Sequence, residues 1–169
     1  MKKSQNLFLV GPMGAGKSAV GRQLARLMRM DFVDSDDEIE HRTGVDIPFI
    51  FEKEGEEGFR KREAKIIEEL SVRQGIVLAT GGGAVMDSRN RSYLGARGFV
   101  IYLHTTVEQQ LDRTKRGRNR PLLDNKDRKA VIAELMEIRD PLYREISDLI
   151  VKTDGRLVRE VAAEIRDTL

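Results

Sequence analysis

The chain has 169 residues, of which 40% are hydrophobic and 34% are charged, as in folded proteins with one sizeable core. It contains no cysteine, which excludes disulfides, thiolate metal sites and cysteine nucleophiles. The net charge of +2 gives no general reason to expect a nucleic acid or a membrane as partner. No apolar run approaches the roughly 20 residues that span a bilayer, and the first residues lack the apolar core of a signal peptide. We therefore expect a single cytoplasmic domain over residues 1–169.

Short apolar runs alternate with helical stretches along the chain. The predicted strands cover residues 7–10, 32–33, 76–79, 99–103 and 149–151. The predicted helices have apolar residues at helical spacing and cover residues 17–30, 36–43, 56–73, 87–94, 107–115, 128–138 and 157–169. Continuously apolar strands between helices are typical of a parallel sheet that is covered on both faces. The predicted fold class is therefore α/β.

The turn after the first predicted strand has the pattern G-x-x-x-x-G-K-[ST] at residues 11–18. A strand that runs through a glycine-rich loop into a helix is the setting of a phosphate-binding loop, whose backbone N–H groups point inward at one anion. Lys17 would reach the β- and γ-phosphates, and the Ser18 hydroxyl would bind Mg²⁺. A chance match in a chain of this length has odds of roughly 0.5%. We therefore predict a nucleoside triphosphate site rather than a glycine turn without a ligand.

Two aspartates, Asp34 and Asp36, follow the second predicted strand. Ligands of an open α/β sheet bind beyond the carboxyl ends of its strands, which is where this pair and the glycine loop both fall. Side chains two residues apart on an extended segment point the same way. One carboxylate would then hold Mg²⁺, directly or through water, and the other would face a second substrate. The alternative is that Asp36 only caps the next helix.

Three consecutive glycines, Gly81, Gly82 and Gly83, follow the third predicted strand directly. Glycines at a strand end allow close backbone approach to a ligand and offer unhindered N–H donors. A flexible turn is the alternative. The position at another carboxyl end of the sheet favours a binding role.

A long charged stretch, KRGRNRPLLDNKD at 115–127, has no periodic apolar face. Loops longer than most connections are usually functional or disordered, and the alternative is an ordinary surface loop. Arg120 lies in this stretch, while Arg60 and Arg139 lie in the local patterns FRKRE and RDPLY. Guanidinium groups suit carboxylates and phosphates because they donate paired hydrogen bonds.

Taken together, these motifs resemble those of the bacterial shikimate kinases. The order and spacing of that family are matched by GPMGAGKS at 11–18, DSD at 34–36, FRxxE at 59–63, GGG at 81–83, RPLL at 120–123 and RxPLY at 139–143. The resemblance runs from Asn6 to about Thr153 and is far more specific than the glycine loop alone. It implies a three-layer α/β/α fold with a five-stranded parallel sheet, of the P-loop, nucleoside monophosphate kinase-like kind.

The resemblance also implies an activity and a set of site residues. The activity is transfer of the γ-phosphoryl group of ATP to the 3-hydroxyl of shikimate, in aromatic amino-acid biosynthesis, by a monomer that uses Mg²⁺. The residues it assigns to ATP are Gly14, Ala15, Gly16, Lys17, Ser18, Ala19, Arg113, Arg120 and Arg156, with Arg113 and Arg156 beside the adenine. Those it assigns to shikimate are Asp36, Arg60, Glu63, Gly81, Gly82, Gly83 and Arg139, with Glu63 bracing Arg60.

Ser18 and Asp34 are the implied Mg²⁺ residues, and Lys17, Asp36 and Arg120 are the implied catalytic set. The resemblance places the shikimate-binding region at about 34–63 and a lid at about 115–127. Asp36 is the expected acceptor of the hydroxyl proton, either as a strong base or mainly as an orienting group. Closure of the lid would exclude water that competes for the phosphoryl group.

Two other interpretations stay open at this point. Another small-molecule kinase of similar build, such as a gluconate or nucleotide kinase, has the same glycine loop. A nucleotide kinase, however, needs a base-reading site in place of the paired arginines and the triple glycine. A nucleotide-dependent switch or nucleic-acid-binding module would grip phosphates with the basic residues at 115–120. The near-neutral charge and the absence of interleaved aromatic residues argue against it.

Overall fold

A computed structural model describes residues 5–115 and 127–169. Its strands are β1 (Leu7–Val10), β2 (Asp31–Asp34), β3 (Ile76–Ala79), β4 (Phe99–His104) and β5 (Leu149–Lys152). They form one parallel sheet in the order β2-β3-β1-β4-β5, in which Leu7 of β1 is level with Val77 of β3 and Phe99 of β4. Every predicted strand is present, within one residue of its predicted bounds.

The helices lie between the strands, as the alternation in the sequence predicts. They are α1 (Lys17–Met28), α2 (Ser35–Thr43), α3 (Ile47–Ser71), α4 (Ser88–Arg97), α5 (Val107–Thr114), α6 (Arg128–Ile146) and α7 (Val158–Thr168). A short 3-10 turn, Ala84–Met86, precedes α4. In the part of the chain that the structure describes, no helix has the length and apolar character needed to cross a membrane.

Helix α3 begins at Ile47, well before the predicted start at residue 56. Its first turn is capped by Asp46, whose carboxylate accepts a hydrogen bond from the N–H of Phe49 at 2.9 Å. A kink at Gly55, where φ is 71° and ψ is −178°, interrupts the helix without ending it. The glycine therefore marks a bend, and the turns before it were missed because their apolar residues are not periodic.

Helix α6 continues through Pro141 to Ile146, although the prediction ended it at residue 138. A proline inside a helix removes one backbone hydrogen bond and is normally destabilising. Here the turn that follows carries Tyr143, which is fully buried and packs on Tyr102 with ring centroids 4.9 Å apart. Tertiary packing therefore holds the last turns in helical form.

The apolar core covers both faces of the sheet, because successive strand residues point to opposite sides. One cluster includes Phe8, Leu78 and Tyr102 with side chains from α2, α3, α4 and α6. The other cluster includes Leu9 and Ile101 of the sheet with side chains of α1 and α7. The predicted three-layer α/β/α fold with five parallel strands is confirmed. Its strand order places the carboxyl ends of β2, β3 and β1 side by side.

Candidate active site

The glycine-rich loop joins β1 to α1 at the carboxyl edge of the sheet. Gly16 precedes the helix with φ at 89°, a left-handed conformation that side chains other than hydrogen disfavour. Helix α1 begins at Lys17, so the N–H groups of its first turn and its positive dipole end face the loop. The Lys17 ammonium donates hydrogen bonds to the carbonyls of Gly11 (2.6 Å) and Pro12 (2.9 Å). Positive charge is therefore held directly over the loop.

Ser18 and Asp34 meet beside this loop. The Ser18 hydroxyl donates a hydrogen bond to Asp34 Oδ2 at 2.5 Å. The other carboxylate oxygen, Asp34 Oδ1, accepts from the N–H groups of Asp36 (2.9 Å) and Asp37 (3.2 Å). The N-cap of α2 is therefore Asp34 and not Asp36, which removes the capping alternative for Asp36.

A divalent cation of the Mg²⁺ type fits the oxygen atoms at this point. Mg²⁺ prefers oxygen ligands, keeps several waters, and is usually held by one or two carboxylates together with substrate phosphates. The adjacent Ser18 hydroxyl and Asp34 carboxylate are such oxygens, next to the phosphate-binding loop. Among residues 5–115 and 127–169 there is no group of three or more His, Cys, Asp or Glu side chains arranged for a metal ion. These two oxygen ligands therefore suit a cation that is also bound by the phosphates of a nucleotide.

The triple glycine lets charged side chains converge at the end of β3. A β-carbon on Gly81 would lie 2.9 Å from both Asp36 Oδ1 and Glu63 Oε2, and one on Gly83 would lie 2.7 Å from the Cζ atom of Arg60. Such distances are closer than real contacts, so larger residues here would displace these groups. The glycines therefore allow Asp36, Glu63 and Arg60 to approach one stretch of backbone.

Arg60 and Glu63 form a partly buried ion pair on α3. Arg60 Nη1 donates to Glu63 Oε1 at 2.8 Å, and Nη2 donates to Glu56 at 3.4 Å. Glu63 is only 1% exposed, and burial raises its pKa despite the opposing effect of Arg60 and Arg139. Burial also disfavours the charged form of Arg60, but the two glutamates outweigh it and raise the pKa of Arg60. Glu63 therefore orients Arg60 and keeps it charged.

Arg139 reaches the same place from α6, with Tyr143 one turn further on. Arg139 is 5% exposed, and burial lowers the pKa of its guanidinium. In the described part of the chain it forms no salt bridge, and its Nε atom has no hydrogen-bond partner. The Tyr143 hydroxyl donates to the carbonyl of Gly82 at 2.5 Å, and burial raises the pKa of Tyr143, so this donor stays protonated. This hydrogen bond connects α6 to the triple glycine.

Replacing Tyr143 by phenylalanine should lower the free energy of unfolding by about 1–2 kcal/mol, because the partly buried Gly82 carbonyl loses its donor. The ring of Phe would keep the packing on Tyr102. Thermal or urea unfolding measures the loss. Tyr93→Phe is the matched control, because Tyr93 is only partly buried and its ring lies under Arg97. Equal stability of Tyr143→Phe and the wild type would contradict the role of this bond.

A cavity of about 410 Å³ brings most of the predicted site residues together. The predicted residues that line it are Gly14, Gly16, Lys17, Ser18, Ala19, Asp34, Asp36, Arg60, Glu63, Gly81, Gly82, Gly83, Arg113 and Arg139. Arg113 also donates to the carbonyl of Gly14 at 2.9 Å. Two predicted residues do not line the cavity: Ala15, which is buried, and Arg156, which pairs with Glu164 at 2.5 Å. Arg120 lies outside the described residues.

Several lining residues had no predicted role. Ile47, Phe51 and Phe59 form an apolar wall, in which the two phenylalanine rings are 5.0 Å apart, and Glu40 and Thr80 add polar atoms. The wall comes from the part of α3 on both sides of the kink, so a correct prediction of that helix would have located it. Tyr143 was part of a quoted motif, and its spacing of four residues from Arg139 is the signal that would have placed both on one helix face.

Comparisons with known proteins agree with this geometry. A sequence model of the family described as "Shikimate kinase" matches residues 13–169. A shikimate kinase of Pasteurella multocida is 57% identical, over 100% of this chain and 97% of that protein, and one of Shewanella frigidimarina is 57% identical over 100% and 99%. A solved "Shikimate kinase from Acinetobacter baumannii in complex with shikimate" has a TM-score of 0.96 and 51% identity, over 98% of this chain and 92% of that one. The chain therefore belongs to the shikimate kinase family.

Proposed function

We propose that this protein transfers the γ-phosphoryl group of ATP to the 3-hydroxyl of shikimate. The bond between the γ-phosphorus and the β–γ bridging oxygen breaks, and a bond from the γ-phosphorus to the shikimate oxygen forms. The hydroxyl proton is lost, and ADP and shikimate 3-phosphate are the products. The proposal is supported by family membership and by one cavity that joins a phosphate-binding loop to the buried Arg139 and the partly buried Arg60.

The buried Arg139 is the observation that carries the proposal. A buried cation without a salt bridge in the described residues is completed best by an anionic ligand, since desolvated charge is costly unless it is paired. Arg60 lines the same cavity, on a different helix. Two guanidinium groups from α3 and α6 would hold the single carboxylate of shikimate between them. The apolar wall of Phe51 and Phe59 would face the ring of the substrate.

In the same cavity, the loop and Lys17 would hold the triphosphate. Phosphate oxygens would replace the carbonyls of Gly11 and Pro12 as partners of the Lys17 ammonium. Ser18 and Asp34 would hold Mg²⁺, which supplies neutralisation of the charge on the β- and γ-phosphates. Phosphoryl transfer depends mainly on positioning and on charge neutralisation, so these groups supply most of what the reaction requires.

Asp36 faces the triple glycine and would receive the hydroxyl proton. It lines the cavity beside Lys17 and faces Gly81, next to the residues assigned to the carboxylate of shikimate. A carboxylate here would orient the attacking hydroxyl and accept its proton as the new bond forms.

The remaining assignments rest on the family resemblance. Arg113 would stack on the adenine, and its bond to the Gly14 carbonyl holds it beside the loop. Arg156 would lie on the other side of the adenine, and Arg120 would reach the phosphates from the lid at 115–127. The proposal treats the chain as one catalytic domain that works as a cytoplasmic monomer, with no nucleic acid or membrane partner. Light scattering of the purified protein tests the oligomeric state.

Replacing Arg139 by alanine should raise the KM for shikimate by about 10²-fold, since a buried charge-assisted contact is worth roughly 3 kcal/mol. The KM for ATP should change by less than about threefold, because the loop and Lys17, rather than Arg139, are the groups assigned to the triphosphate. Steady-state kinetics with each substrate varied in turn gives both values. Arg159→Ala, which removes an exposed arginine of α7, is the control. Equal effects on the two KM values would argue against a carboxylate clamp.

A comparison of acceptors tests the assignment of the second substrate. ADP release is measured with shikimate, gluconate and a nucleoside monophosphate at equal concentrations. We expect the highest kcat/KM for shikimate by several orders of magnitude. A higher kcat/KM for gluconate or for the nucleoside monophosphate would contradict the proposal and would indicate another small-molecule kinase.

A further inference from the structure

A second cavity, of about 580 Å³, lies between α2 and α3 and is separate from the one already described. Its floor is apolar and consists of Ile39, Ile50 and Ile66, which are 1%, 3% and 5% exposed. Phe49 forms one wall and leaves 44% of its surface exposed. This volume is in the range of small-molecule sites, which are concave and mostly apolar with a few polar groups.

The two cavities have no lining residue in common, although α3 contributes to both. Phe51, Phe59 and Glu63 line the first, whereas Ile50 and Ile66 line the second. A ligand in the second cavity therefore does not overlap with ATP or shikimate in the first.

Positive charge surrounds the opening of the second cavity. Arg42 is paired with Glu38 at 3.1 Å and also with Glu69, and Arg62 is paired with Glu54 through two hydrogen bonds of 2.6 and 2.9 Å. These two arginines therefore already have partners.

Lys53 and Lys65 also line the cavity, and neither forms a salt bridge within residues 5–115 and 127–169. The Lys53 ammonium lies 5.6 Å from the centroid of the Phe49 ring, so a cation stands directly above the apolar wall. Glu54 lines the same cavity but is paired with Arg62. The pKa of Glu69 is lowered mainly by its hydrogen bond to Arg42 and also by Lys65. Two cations without an ion-pair partner above an apolar floor are complementary to a negative group on an apolar body.

We infer that the second cavity binds an amphipathic monoanion, a compact ring system that bears one carboxylate or sulfonate. The ring would lie on Ile39, Ile50 and Ile66, and the anionic group would face Lys53 and Lys65. This site is independent of the phosphoryl-transfer reaction proposed above. Its failure in a test would therefore leave that proposal unchanged.

The experiment uses 8-anilinonaphthalene-1-sulfonate, an aromatic monoanion whose fluorescence rises in apolar surroundings. The full chain is titrated with the probe while shikimate and ADP are present at saturating concentration, so that the first cavity is occupied. We expect saturable binding at one site. The double variant Lys53→Gln/Lys65→Gln should weaken it by about tenfold, because two charge contacts are lost. Phe49→Ala should weaken it as well, through the loss of apolar wall.

Lys61→Gln is the matched control, because Lys61 is an exposed lysine of the same helix that lines neither cavity. Kinase activity and thermal unfolding of the double variant show that it is folded, since neither lysine belongs to the catalytic site. Saturable binding that weakens only in the cavity variants supports the site. The inference is overturned if no saturable binding occurs with shikimate and ADP present, or if the double variant binds the probe as tightly as the wild type.

Discussion

Replacing Lys17 by alanine should lower kcat/KM by about 10³-fold, because the only lysine of the phosphate-binding loop would no longer neutralise the transferring phosphoryl group. The fold should persist, since Lys17 lines the cavity and its hydrogen bonds to the carbonyls of Gly11 and Pro12 lie outside the apolar core. A coupled assay for ADP release measures the activity, and circular dichroism during heating measures stability.

Lys61→Ala is the control for this change, since Lys61 is 76% exposed on α3 and does not line the cavity. It should keep activity within about twofold of the wild type. Retention of near-normal activity by Lys17→Ala would contradict the assignment of the loop to the triphosphate. If Lys17→Ala loses activity because it unfolds, its melting temperature will be lower than that of the wild type. An unchanged melting temperature assigns the loss of activity to the missing ammonium.

Replacing Asp36 by asparagine should lower kcat by about 10²–10⁴-fold, the usual contribution of a positioned proton acceptor. The amide has the same shape and still accepts a hydrogen bond, so shikimate should bind with a KM within a few fold of the wild type. The Ser18–Asp34 contact does not involve the Asp36 side chain, so the KM for ATP should also change little. Steady-state kinetics with both substrates separates these effects.

Asp31→Asn supplies the matched comparison, because Asp31 is exposed at the opposite, amino end of β2. Its activity should equal that of the wild type. A fall in kcat of less than about tenfold for Asp36→Asn would indicate that Asp36 mainly orients the hydroxyl. A large rise in the KM for shikimate with kcat unchanged would assign Asp36 to binding alone.

The strands could be predicted from the sequence because each contains a short apolar run, although that run is only Phe32 and Val33 in β2. The predicted bounds of the helices were less accurate where the intrinsic helix preference of a residue disagrees with the tertiary structure. Gly55 and Pro141 are both helix breakers by intrinsic preference, yet α3 bends at the first and α6 passes through the second. The packing that overrides these preferences, such as Tyr143 on Tyr102, joins residues about 40 positions apart and leaves no local pattern.

The candidate site was predicted best where it follows from topology. The loop at 11–18, the Asp34–Asp36 pair and the triple glycine all end strands of one parallel sheet, and the carboxyl ends of such strands meet at one edge. The second cavity, the apolar wall and the bond from Tyr143 to Gly82 depend on how α2, α3 and α6 pack. Spacing within one helix indicates which side chains share a face, but it does not predict which helices pack together, so these features were found only in the structure.

The most direct test of the central claim is the release of ADP from ATP and Mg²⁺ with and without shikimate. The account predicts slow release without shikimate and a rise of several orders of magnitude when shikimate is added, with one phosphorylated product formed for each ADP. Release at the same rate in both conditions, or no release in either, would contradict the claim that one cavity holds a triphosphate next to a hydroxylated acid.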